Sequence, residues 1–89
     1  MLERSTPICQ SCAMPLVRAE DHGTDAAGRP AAKFCRFCFV GGAFVDPAAT
    51  ADTMIERCVR VLAGRGMLER DARILMAGTI PALERWRAS

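Results

Sequence analysis

The sequence has no segment of the kind that crosses or enters a membrane. No apolar run approaches the ~18–20 residues of a transmembrane helix. The first residues, MLERSTPIC, contain no stretch that resembles the hydrophobic region of a signal peptide. We therefore expect a soluble protein of the cytoplasm that makes no contact with a membrane.

The sequence also has no block of basic residues. Its formal net charge is +2, acidic and basic residues are mixed, and Lys33 is the one Lys. The pI is about 8.4, whereas a dedicated DNA-binding domain usually has a clustered basic surface and a pI above about 9. Nucleic acid is therefore only weakly supported as a partner.

Large apolar residues are scarce before Asp46, where Pro and Gly residues typical of turns are frequent. A chain of 89 residues buries only a modest core. Small domains of this kind often depend on a metal or on disulfides. We therefore predict that the N-terminal half is held together by something other than apolar packing.

Four of the five cysteines form two pairs with the same spacing, Cys9-x2-Cys12 and Cys35-x2-Cys38, with 22 residues between the pairs. Each pair can form a tight turn, or knuckle, and two knuckles can complete a tetrahedral shell of four thiolates around one ion. The repeated spacing favours a metal site much more strongly than a single pair would.

Redox chemistry and disulfides are the alternatives to a metal site. An odd number of cysteines in a reducing cytoplasm weighs against disulfides. A thioredoxin-like pair opens a helix, but the residues after Cys12 and after Cys38 include Pro15 and Gly41 and predict no helix start. These alternatives are disfavoured and stay open. Iron also suits four thiolates, although zinc is the usual metal of structural sites.

A shell made of four protein ligands leaves no coordination position for water or substrate. We therefore predict no enzyme activity, no catalytic residues and no small-molecule substrate. The predicted cofactor is one structural Zn²⁺ per chain. Its predicted ligands are Cys9, Cys12, Cys35 and Cys38. Zinc binding is worth ~10–16 kcal/mol in small zinc peptides, which is more than the N-terminal half could gain from packing.

Three longer motifs resemble a known family. The segments CQSCAMPL (9–16), HGTDAAGRPAAKFCRFCFVGGAFVDP (22–47) and PALERW (81–86) resemble the small putative zinc ribbon domain of many bacterial and archaeal proteins of uncharacterised function. The resemblance extends over residues 8–87 and implies zinc on the same four cysteines, with no established activity. Ala13 stands where the family usually has Gly, at a position that favours a left-handed backbone, which costs Ala about 1 kcal/mol.

We predict a small α+β fold in a single domain over residues 1–89. A four-cysteine zinc-ribbon lobe at 7–46 contains short antiparallel strands, and a helical lobe at 47–89 contains two or three packed helices. The predicted helices lie at about 50–64, 68–79 and 80–87, the first capped by Thr50. The predicted strands lie at 15–19, 32–35 and 42–46, with an exposed loop at 22–30.

Several other side chains have two interpretations. Four Phe residues bracket the second knuckle, and we expect them to shield the metal site and not to form a base-stacking platform. They are Phe34, Phe37, Phe39 and Phe44. We expect His22 to be a solvated loop residue, Cys58 to be buried on the apolar face of the first helix and not a fifth ligand, and Asp21 and Asp25 to form turns.

The function that these features favour is a structural-zinc binding module that mediates protein interactions in a regulatory context. One alternative is a nucleic-acid-binding zinc ribbon, which would need a basic surface around Arg29, Lys33 and Arg36. The other alternative is a redox- or metal-responsive protein that uses its zinc-bound thiolates.

Overall fold

The computed structural model describes residues 6–87. The chain divides into two compact units, Met1–Pro47 and Ala48–Ser89. That these units form one domain over 1–89 stays a prediction, and residues 1–5 and 88–89 of that range lie outside the described residues. Within 6–87, none of the helices combines the length and the apolar character needed to traverse a bilayer.

Short antiparallel hairpins form the N-terminal unit. The strands are β1 (His22–Thr24), β2 (Pro30–Cys35), β3 (Phe39–Val40) and β4 (Ala43–Phe44). Strand β1 pairs with β2, and β3 pairs with β4, each as a two-stranded antiparallel sheet. An isolated antiparallel bridge between Ile8 and Pro15 closes the segment that carries the first cysteine pair.

The strand predicted over 15–19 is limited to this bridge at Pro15, because the following segment folds into a 3-10 turn, Ala19–Asp21. The carboxylate of Asp21 accepts hydrogen bonds from the backbone N–H groups of Val17 (3.1 Å) and Arg18 (2.8 Å). Asp21 is buried and forms a turn, as predicted. These bonds to a charged acceptor favour the turn over a strand.

The loop predicted over 22–30 contains strand β1, which the sequence pattern did not indicate. Gly23 is the reason that this strand can form where it does. A Cβ atom at Gly23 would lie 1.9 Å from the carbonyl oxygen of Phe39 and 2.8 Å from that of Cys35. The absence of a side chain therefore allows β1 to lie directly against the backbone on either side of the second cysteine pair.

Two helices and a short third helix form the C-terminal unit. Their bounds are Ala51–Gly64 for α1, Glu69–Thr79 for α2 and Glu84–Arg87 for α3. Thr50 caps α1 as predicted, because its hydroxyl oxygen accepts the N–H of Thr53 at 3.1 Å. The predicted small α+β fold is therefore confirmed.

The segment predicted as one helix over 80–87 is divided in two. Residues Ile80–Ala82 form a 3-10 turn that contains Pro81, and α3 begins only at Glu84. Leu83 between them is extended, with φ −74° and ψ 155°. Its side chain is buried, so this residue ends the turn and anchors the chain.

The core of the C-terminal unit lies where α1 and α2 pack together. The buried residues of this unit are Met54, Cys58, Val59, Ala72, Met76, Ile80 and Leu83. The burial of Cys58 on α1 confirms its predicted place on the apolar face. Arg73 of α2 bridges the two helices, because its guanidinium pairs with the carboxylates of Glu56 and Glu69.

Candidate metal centre

The fold brings the four predicted ligands together. The sulfur atoms of Cys9, Cys12, Cys35 and Cys38 all lie within 4.8 Å of one another. No other group of three or more His, Cys, Asp or Glu residues in the described part of the chain has ligand atoms so placed. The cluster lies entirely within the N-terminal unit, whose two knuckles each supply one cysteine pair.

The first knuckle is a closed backbone turn. The N–H of Cys9 donates to the carbonyl of Met14 at 2.8 Å, and the N–H of Ala13 donates to the carbonyl of Cys9 at 2.8 Å. Ala13 has φ +70°, and no other non-glycine residue in 6–87 has a positive φ. The left-handed backbone expected at this position is therefore present, although the residue is Ala and not Gly.

The second knuckle connects β2 to β3. Cys35 is the last residue of β2, and the N–H of Cys38 donates to the carbonyl of Cys35 at 3.1 Å. The chain then forms the hairpin of β3 and β4 and returns, so that the N–H of Val45 donates to the carbonyl of Cys38 at 2.9 Å. Both cysteines of this knuckle are therefore held by backbone hydrogen bonds on each side.

Backbone N–H groups of each knuckle donate hydrogen bonds to the other knuckle. The N–H of Gln10 donates to the carbonyl of Lys33 at 2.7 Å. The N–H of Cys35 donates to the sulfur of Cys9 at 3.3 Å, and this sulfur also accepts the N–H of Ser11 at 3.4 Å. Backbone N–H groups directed at a sulfur stabilise its thiolate form, which is the form that binds metal.

Because the sulfurs lie so close together, their pKa values are shifted in opposite directions. Hydrogen bonds from the thiols of Cys12, Cys35 and Cys38 lower the pKa of Cys9 far below its usual value. The pKa of Cys12 is raised, first by its hydrogen bonds with Cys35 and Cys38 and further by burial and the charge of Cys9. Four thiolates at this separation repel one another, so a bound cation is what would allow all four to ionise.

The donor set and its spacing fit Zn²⁺. A Zn–S distance of ~2.3 Å implies roughly 3.8 Å between neighbouring sulfurs of a regular tetrahedron. The sulfurs of Cys12 and Cys35 lie 3.7 Å apart. A site of this kind can link two chain segments through bonds that the unfolded chain does not make. The four cysteines would fill all four positions of a tetrahedral ion, and a complete set of protein ligands is typical of a structural site.

His22 and Asp25 do not belong to the cysteine cluster. His22 is half-buried in β1, and its Nδ1–H donates to the carbonyl of Ala31 at 2.7 Å, so the expectation of a solvated loop residue is wrong. The strand placement of Gly23 beside it explains this difference. Asp25 forms a turn as predicted, because one carboxylate oxygen accepts the N–H groups of Ala27 and Arg29 at 2.9 Å each.

Three of the four Phe residues form a small aromatic cluster beside the second knuckle. Ring centroids of Phe34, Phe39 and Phe44 lie 5.0 to 5.2 Å apart. At these distances the three rings pack against one another and form a small apolar cluster in the N-terminal unit. Phe37 differs, because it lies between the knuckle cysteines and is 56% exposed.

Ser11 is a residue of the site that the sequence reasoning missed. It is fully buried, lies between Cys9 and Cys12 in the sequence, and its backbone N–H donates to the sulfur of Cys9 at 3.4 Å. The sequence signal for this residue was a small hydroxyl side chain between two cysteines. Its burial could not be predicted from the sequence.

The comparison with family models agrees with this geometry. Residues 8–87 match the model of the family described as "putative zinc ribbon domain". The match extends over nearly the whole chain, and the chain belongs to this family. Such domains are typically structural binding modules. No curated protein and no solved structure shows significant similarity to the chain.

Proposed function

We propose that the chain is a structural-zinc binding module that mediates protein interactions in a regulatory context. The observation that carries this proposal is the closed set of four cysteine sulfurs within 4.8 Å of one another. One Zn²⁺ per chain would link the two knuckles and stabilise a unit that has few large apolar residues. Reduced thiolates of this kind suit the cytoplasm. The module performs no catalysis in this proposal, because the protein fills all four metal positions.

The second knuckle supports the choice of a protein partner. Phe37 lies between Cys35 and Cys38, and its ring is largely exposed. The guanidinium carbon of Arg36 lies 4.5 Å from the centroid of this ring. This cation–π contact favours an exposed orientation of both side chains. Aromatic residues and Arg are enriched among the residues that contribute most to protein interfaces.

The charges nearby support nucleic acid less well. The side chain of Arg29 pairs with Asp25 at 3.5 Å, and that of Arg18 pairs with Glu20 at 3.7 Å. These exposed acidic neighbours reduce the positive potential that would attract a phosphate backbone. A basic surface around Arg29, Lys33 and Arg36 would therefore be only partly available.

A comparison of two exposed positions tests the proposal. We propose to use three baits, namely the zinc-loaded chain and its Phe37→Ala and Val40→Ala variants, in extracts of the native organism with and without nuclease treatment. Val40 is a matched control, because it lies in β3 of the same unit and is 52% exposed. We expect all three baits to hold one zinc and Phe37→Ala alone to lose a specific protein. Binding that disappears after nuclease treatment, or equal capture by all three baits, would contradict the proposal.

A further inference from the structure

The four cysteines of the cluster are not equally accessible to solvent. Cys9 and Cys35 are fully buried, and Cys38 is 2% exposed. Cys12 is partly exposed and is the one cluster residue that is not buried. We infer that Cys12 is a modification site, at which peroxide first oxidises the zinc-bound cluster, and that the product is a Cys12–Cys35 disulfide. This inference rests on the proposed zinc–thiolate site.

Accessibility decides which sulfur reacts first. Zinc holds all four cysteines as thiolates, so differences in protonation between them are small once the metal is bound. The rate of attack on peroxide then depends on whether the oxidant reaches the sulfur. Among the four cluster residues, solvent reaches only Cys12 to an appreciable extent.

Distance and hydrogen bonding determine which sulfur attacks the oxidised Cys12 to form the disulfide. The sulfur of Cys35 lies 3.7 Å from that of Cys12. The sulfur of Cys9 accepts two backbone N–H groups, from Ser11 at 3.4 Å and Cys35 at 3.3 Å. Hydrogen bonds that stabilise a thiolate also make it a weaker nucleophile. Cys35 is therefore favoured over Cys9 as the attacking partner.

The chemistry is balanced with hydrogen peroxide as the oxidant. The thiolate of Cys12 attacks one peroxide oxygen, an S–O bond forms, the O–O bond breaks and hydroxide leaves, which gives a sulfenic acid. The thiolate of Cys35 then attacks this sulfur, an S–S bond forms and a second hydroxide leaves. Two sulfurs are each oxidised by one electron, and the peroxide is reduced by two. The cluster loses two of its four thiolates, so its hold on zinc is lost.

The test uses the full zinc-loaded chain with Cys58→Ala, so that the cluster thiols are the only thiols present. Substoichiometric hydrogen peroxide is added, free thiols are alkylated without reduction, and the disulfide is mapped by mass spectrometry. A chromogenic chelator reports the released zinc. We expect one zinc released per peroxide consumed, a disulfide that joins Cys12 to Cys35, and return of zinc binding after addition of a thiol reductant.

Two matched variants test whether the accessibility of Cys12, and not a general weakening of zinc binding, determines the rate of zinc release. Cys12→His and Cys38→His each keep four possible zinc ligands, since imidazole also binds zinc. Peroxide should release zinc several-fold more slowly from Cys12→His than from Cys38→His, because only the first variant lacks the accessible thiolate. Equal slowing in both, or a first disulfide in the mapped chain that leaves out Cys12, would overturn the inference. A chain that binds no zinc before peroxide is added would instead contradict the proposed function.

Discussion

Replacement of Gly23 by Ala should disrupt the metal-binding unit, although Gly23 is neither a ligand nor a turn residue with positive φ. The new Cβ would lie 1.9 Å from the carbonyl oxygen of Phe39, 2.8 Å from that of Cys35 and 3.0 Å from the carbonyl carbon of Phe39. All three are backbone atoms, so no side chain can rotate away to make room. Cys35 is also a predicted zinc ligand, so its movement would displace a sulfur of the cluster.

Overpacking in a protein interior usually costs ~1–3 kcal/mol. An overlap with backbone on both sides of a knuckle belongs at the upper end, and we expect a loss of about 3 kcal/mol. Because zinc binding is coupled to folding in small metal sites, this loss should appear as a roughly 100-fold weaker apparent zinc affinity.

Competition with a chelator of known affinity measures this change, with Gly78→Ala as the matched control. Gly78 lies in α2, and an added Cβ there would have no neighbour within 4 Å. Gly78→Ala should stabilise the helical unit by about 0.5–1 kcal/mol and should not weaken zinc binding. If Gly23→Ala binds zinc as tightly as the unmodified chain, the close approach of β1 to the second knuckle would be refuted.

Three further predictions are tested by the same competition assay or by measuring the zinc content of the purified variants. Ala13→Gly should stabilise the first knuckle by about 0.5 kcal/mol, because relief of the left-handed strain exceeds the entropy that Gly adds to the unfolded chain; weaker zinc binding would contradict this. The N–H groups of Arg18 and Val17 lower the pKa of Asp21, so its contribution to stability is present above the unfolded value of about 3.8 and is lost as pH falls through the folded pKa. Asp21→Asn should therefore weaken zinc binding at neutral pH while the exposed control Asp46→Asn does not, and equal behaviour of the two variants would argue against this role. Cys58→Ala should leave zinc content unchanged and lower the thermal midpoint of the helical unit, since Cys58 fills part of its core; loss of metal would make Cys58 a ligand.

The parts of the fold that sequence reasoning predicted well depend on local patterns. The two cysteine pairs restrict their own knuckles, so their spacing was enough to indicate that the four sulfurs meet. The bounds of α1 and α2 followed from apolar periodicity, the Thr50 cap and the Gly residues between the helices.

The parts that were missed depend on contacts between distant segments. Strand β1 has three residues with turn-like composition, and its position depends on the approach of Gly23 to the backbone of Phe39. The half-buried state of His22 follows from that strand. The break at Leu83 reflects the burial of its side chain, which overrides the helical pattern of residues 80–87. Leu68 and Leu75 are large and apolar, yet they are 64% and 48% exposed, whereas Ala72 and Met76 of α2 are buried.

Native mass spectrometry of the purified chain and its Cys35→Ser variant tests the central claim most directly. A four-thiolate site made by Cys9, Cys12, Cys35 and Cys38 predicts one zinc per chain, with four thiols protected from alkylation while the metal is bound. Serine is a poor zinc ligand, so Cys35→Ser should lose the metal at equal protein concentration. Two metals per chain, no metal in the unmodified chain, or full occupancy retained by Cys35→Ser would contradict the account.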